Sequence, residues 1–130
     1  MFQSCSFESL KKIMEDNLEE NLYFKKPKIT ITDMSDKEES YTFVQFRFKD
    51  NTLKIPQLYL SKKNTGTGTK ILIWLEEFCI NNGITKIQLK NIWKRGTSEY
   101  SKEMHNIIKK LGYEVIEESN THINCEKTII

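Results

Sequence analysis

Between a strand-like run, Leu53 to Leu60, and an apolar helical stretch opening at Ile71 lies the segment Lys63-Asn64-Thr65-Gly66-Thr67-Gly68-Thr69-Lys70. A second strand-like run, Thr85 to Lys90, follows the helix after Gly83, a residue suited to the left-handed turn that closes a helix. Strand, loop, helix and strand in this order form a right-handed crossover with the two strands parallel, which narrows the chain to helices layered on a sheet. The loop narrows it further. Its two glycines let the backbone turn tightly with amides facing inward, and the dipole of the following helix adds to them, so the segment suits a phosphorylated ligand.

Two common phosphate loops do not match. A dinucleotide fingerprint needs a third glycine where Ile71 stands, and an acidic residue closing the next strand where Lys90 and Asn91 stand. A P-loop needs Gly-Lys-Ser/Thr, which Gly68-Thr69-Lys70 does not supply. A Gly/Thr turn with no ligand would also give this local pattern, and only the rest of the chain separates the two.

The 130 residues predict a single domain, 1–130, with enough chain for its own core. A net charge of +2 with 29% charged residues gives no field that points to nucleic acid as the main partner. Cys5, Cys79 and Cys125 are odd in number and widely spaced, with no signal segment, which predicts reduced thiols in a cytoplasmic protein. The longest apolar run, Ile71 to Leu75, is too short to cross a membrane. His122 and Cys125 form half of a metal-ligand pattern with no second pair to complete it, so no metal is expected.

Along the chain, Phe7, Leu10, Met14, Leu18 and Leu22 predict a helix over 7–22 with Ser6 as its cap. Lys28 to Thr32 and Tyr41 to Phe48 predict strands that pair antiparallel around the acidic region 33–40. Asp50-Asn51 turns the chain into the Leu53 strand, where Pro56 predicts a bulge or a break in the ladder. A last helix carries Tyr100, Met104, Ile107, Ile108 and Leu111, is capped by Thr97 or Ser98 and ends at Gly112. Tyr113 to Ile116 and His122 to Ile130 predict terminal strands.

The order strand, Lys63-x-x-Gly66-x-Gly68, long helix, strand, helix and Leu111-Gly112-Tyr113 resembles the GNAT superfamily of acyl-CoA N-acyltransferases over roughly Leu53 to Ile116. The resemblance implies a mixed α+β fold: a mostly antiparallel sheet holding one parallel, splayed strand pair, with flanking helices. It implies acetyl-CoA as co-substrate, its pyrophosphate on Lys63, Asn64, Thr65, Gly66, Thr67, Gly68, Thr69 and Lys70. The pantetheine arm would lie along Leu58, Tyr59 and Leu60, with Asn91 across the splay. The implied reaction is direct acetyl transfer to a primary amine of a small molecule or protein.

Several positions depart from the resemblance. Gln57 and Tyr59 stand where a carboxylate is usual before the loop, Ile108 stands where a tyrosine usually protonates the thiolate, and Ser101 stands where an asparagine is usual. His105, Tyr100 and Ser101 remain as candidates for moving protons. The family's opening strand is expected to be absent or very short, while Glu15, Glu19, Glu20, Asp36, Glu38 and Glu39 would attract a cationic amine. Two other readings stay open: a catalytically silent domain that binds acetyl-CoA or a protein partner, and a nucleic-acid module using Lys25, Lys26, Lys28, Lys94 and Arg95. An exposed edge strand would support a homodimer.

Overall fold

Leucine and methionine at i, i+4 and i+8 fold the start of the chain as a helix with one apolar stripe. In a computed structural model, which describes residues 4–25, 29–33, 42–60, 66–93 and 99–129, a 3-10 turn (Ser4–Phe7) leads into α1 (Glu8–Leu18). Leu10, Met14 and Leu18 are buried along the helix. It ends four residues earlier than the period suggests. Glu19 turns left-handed, the Leu22 N–H donates to Glu15 Oε2 (3.0 Å) and Lys11 Nζ donates to Glu15 Oε1 (3.1 Å). These partners, the Leu22 amide first, hold the Glu15 carboxyl below the usual carboxylate range. Leu22 still reaches the core, 2% exposed, but from extended chain, which is why it continues the helical count without being helical. The cap is Phe7, not Ser6.

Seven strands form one sheet: β1 (Tyr23–Lys25), β2 (Ile29–Thr32), β3 (Phe43–Lys49), β4 (Thr52–Tyr59), β5 (Lys86–Trp93), β6 (Glu114–Glu118) and β7 (His122–Thr128). Their spatial order is β1-β2-β3-β4-β5-β7-β6, antiparallel throughout except for parallel β4 and β5. The expected mixed, mostly antiparallel sheet is present. The short edge strand β1 was not foreseen, and it follows the first helix. Asp50 and Asn51, both at positive φ, make the tight turn between β3 and β4. Asp33 and Thr42 bond to each other at the base of the acidic connection, whose residues 34–41 lie outside the described ones.

The crossover helix α2 (Thr67–Asn82) and α3 (Glu99–Leu111) pack on one face of the sheet together with α1. Two right-handed crossovers stepping in the same direction, β4-α2-β5 and β5-α3-β6, put both helices on the same side. That face carries Ile31, Val44, Phe46, Leu53, Ile55, Ile87, Leu89 and Cys125, all buried. Phe7 stands at its centre, stacked on Phe46 with ring centroids 4.8 Å apart and within 5.0 Å of Phe78 and 5.6 Å of Trp74. Burial pushes the thiols up, Cys79 with help from Glu76 to about 12 and Cys125 to about 11, so both stay protonated small hydrophobes at neutral pH.

Candidate functional site

The parallel ladder between β4 and β5 is short because one strand loses a donor halfway along. Pairing runs from Thr52↔Lys86 to Ile55↔Leu89, and the next β4 residue, Pro56, has no N–H to give. Beyond that level β4 continues to Tyr59 and β5 to Trp93 without pairing to each other. Both strands bulge there against their outer partners. Phe46 of β3 faces Ile55 and Pro56 together, and Asn124 of β7 faces Lys90 and Asn91 together. The inner ladder therefore opens into a slot while the outer ladders resume past the bulges. Asn91 lies at the β5 bulge, with the strand running on to Trp93 and not ending at Asn91.

Beside this slot α2 begins. Thr67, Gly68, Thr69 and Lys70 form its first turn and are not loop, as the Lys70 N–H to Gly66 C=O bond (3.1 Å) shows. No apolar side chain marks that turn as helical in the sequence. Gly66 is the cap residue at φ +76, and a Cβ built on it meets nothing within 4 Å. Among the described residues no side chain caps this helix start, and its first turn holds no acidic residue, so its positive dipole end suits an anion. Thr67 is buried, its Oγ1 accepting from Asn17 Nδ2 at the end of α1, which ties the helix start to the core. Lys63, Asn64 and Thr65 lie outside the described residues.

Gly68 has a different task from Gly66. A Cβ there would stand 3.1 Å from Ile107 Cδ1 and 3.8 Å from Met104 Sδ, so the missing side chain is what lets α3 close on the first turn of α2. Gly68→Ala is expected to be nearly neutral, since the helix gain from alanine offsets a small shift of Ile107. Gly68→Val is expected to destabilise by about 1–3 kcal/mol in urea unfolding. Wild-type stability in the valine variant would mean that this contact is loose.

The proton-handling candidates lie on α3. Tyr100 and Ser101 belong to its first turn, with side chains outside the described set. His105 is half-buried on the flank of the helix, while Ile108, 5% exposed, packs into the core. A cavity of about 310 Å³ is lined by Glu117, Glu118, Ser119, His122 and Asn124, and His122 pairs with Trp93 at the same end of β5 to which the slot opens. His122 Nδ1 lies 2.7 Å from Thr121 Oγ1, and Asn124 Nδ2 donates to Glu117 Oε2 (3.0 Å). Alternation along β7 sends His122 and Cys125 to opposite faces, so they do not form a half-site, and no group of metal-type ligands occurs among the described residues. That alternation was legible in His122 to Thr128.

No protein-family model matches the sequence, and no curated protein matches it. Solved structures do. An N-acetyltransferase, PaiA, from Thermoplasma acidophilum in complex with coenzyme A superposes with a TM-score of 0.55 at 17% identity, covering 76% of this chain and 59% of that one. The ribosomal-protein-S18-alanine N-acetyltransferase of Escherichia coli gives 0.57 at 10% identity over 91% of this chain and 76% of its own. A GNAT-family acetyltransferase of Staphylococcus aureus Mu50 gives 0.52 at 13% identity over 78% and 68%. The chain thus spans less than two thirds of the first of these, and no helix among the described residues is long and apolar enough to cross a membrane. At such identities the likeness is one of architecture, and the chain has the GNAT fold, that of the acyl-CoA N-acyltransferases.

Proposed function

We propose that this chain, as one domain of a cytoplasmic protein, is an N-acetyltransferase that takes acetyl-CoA and acetylates a primary amine of a small molecule or protein. The observation that carries the reading is the slot between β4 and β5 opening beside an uncapped helix start. Amides from Gly66 to Thr69 would hold the pyrophosphate, with Lys70, Lys63, Asn64 and Thr65 around it. Leu58, Tyr59 and Leu60 would offer main-chain groups to the extended arm, with Asn91 of β5 on the other side of it. When bound, acetyl-CoA supplies the activated acyl carbon.

The chain's own residues must then accept a proton from the amine, because a lysine-like amine of pKa about 10.4 is mostly charged at neutral pH. His105 on α3 and His122 in the β6–β7 cavity are imidazoles that would do so, and Tyr100 in the first turn of α3, with Ser101 beside it in the chain, would act as the acid for the departing thiolate. Glu117 and Glu118 beside His122 favour a cationic acceptor. The test is release of free coenzyme A from acetyl-CoA across a panel of polyamines, aminoglycosides and peptide N-termini. Turnover with at least one amine is expected.

A second reading rests on Ile108, a core residue where the resemblance expects an acid for the departing thiolate. It makes the domain a silent acetyl-CoA binder. Tight acetyl-CoA binding with no coenzyme A release from any amine would favour it.

A further inference from the structure

The face of the sheet opposite the helices sorts the charges of the chain. On β3, β4 and β5, alternation puts Gln45, Arg47, Lys49, Thr52, Lys54, Gln57, Lys86, Gln88 and Lys90 on that open face. Five of these are cationic and none is acidic. Arg47 and Lys49 are exposed, and Lys54, Lys86 and Lys90 are half-buried. Arg47 and Lys54 are direct cross-strand partners, a like-charge placement that destabilises a sheet by itself. Of these five cations Lys86 alone has an ion pair among the described residues, to Glu126 at 3.8 Å. Farther across the same face the charge changes sign, with Glu126 on β7 opposite Gln88 and Glu114 and Glu117 on the edge strand β6, while Glu8, Glu15, Asp16 and Glu19 lie on or next to α1. A whole-chain charge of +2 conceals this separation.

The same face carries aromatic rings in one row. Register sets Tyr23 opposite Thr32, Thr32 opposite Phe43 and Phe43 opposite Tyr59, so three of four residues across β1 to β4 are aromatic. Tyr23 is 50% exposed. Arg47 lies four residues along β3 from Phe43, about 13 Å at the strand rise, within the span of one or two nucleotides of a strand laid on the sheet. Cations alone would suit any polyanion, but cations below a row of rings suit phosphates joined to flat bases. The row ends at Tyr59, at the slot between β4 and β5.

We propose that the open face of β3 to β5 binds single-stranded nucleic acid, with Lys49, Arg47, Lys54, Lys86 and Lys90 on the phosphates and Tyr23, Phe43 and Tyr59 toward the bases. The test is fluorescence anisotropy of a labelled mixed-sequence RNA strand against the intact protein across a salt series. Five phosphate contacts predict a slope of log K against log salt of about −3.5. Arg47→Gln/Lys54→Thr removes the like-charge pair without harming the strands, so it is expected to keep its thermal midpoint while flattening the slope by about 1.4. Lys49→Gln/Lys90→Gln is a second variant with the same expectation. Tyr23→Ala is expected to weaken RNA about 5-fold or more while leaving heparin, which has no bases, unchanged. Absence of salt-dependent binding would overturn the proposal. So would equal or tighter binding to phosphatidylserine vesicles or polyglutamate, or an unchanged slope in both charge variants.

Discussion

Phe7→Ala is expected to cost the fold about 3–5 kcal/mol, the largest single-residue effect in the molecule. The ring is 0% exposed and touches two separate parts of the chain: Phe46 on β3, and Trp74 and Phe78 on α2. Residue 7 precedes α1, so these rings fasten the entry of that helix to the sheet. Truncation leaves a cavity whose walls belong to a helix and a strand, and neither can collapse into it without breaking its own ladder. Trp74 is also tied to Ser9 by its indole N–H (3.2 Å), which keeps it from swinging in. Urea unfolding should show the loss, together with a fall in thermal midpoint of roughly 10–20 °C. Ile80→Ala, at a position 58% exposed, should move stability by only about 0.5 kcal/mol. A Phe7 variant as mild as the Ile80 one would mean that the aromatic cluster does not hold the two layers together.

Gly66→Asp should separate folding from ligand binding. The position needs φ +76, which aspartate tolerates better than most residues, and its carboxylate would cap the bare start of α2. Stability without ligand is therefore expected to stay within about 1 kcal/mol of wild type. The carboxylate would then occupy the place of the pyrophosphate and repel it. Acetyl-CoA at a hundred times its dissociation constant should stabilise the wild type by about 2.7 kcal/mol, roughly 8–11 °C, and the variant hardly at all. An equal shift in both proteins would place the cofactor away from this helix start, whatever the amine screen finds.

The sequence shows its local pieces well and its pairings poorly, for reasons visible in single residues. Pro56 marks the break in the ladder because a missing N–H is a property of the residue itself. Gly66 and Gly68 mark the turn, yet the spacing alone makes them look alike. One is needed for its φ and the other for the room it leaves Ile107, which only the position of α3 reveals. α2 starts four residues before the apolar stretch that opens at Ile71, because Thr67, Thr69 and Lys70 carry no apolar period. Tyr23–Lys25 has three residues, too few to show alternation. That β7 lies between β5 and β6 is a long-range choice no window contains, and His122 meets Trp93 only through it. The cationic stretch over β3 to β5 is hidden in the same way, since its basic residues are spread over three strands and align only when the registers are known.

An ordinary open sheet has two outer edges, and exposed edges invite other chains to add on as further strands. Here the division of β4 from β5 creates two more, facing each other inside the molecule. They lie on neighbouring strands of one sheet, with α2 and α3 on one face of it. What can pair there is a thin, extended, flexible molecule with amide groups of its own. The protein thereby turns two strand edges toward a ligand and away from other chains.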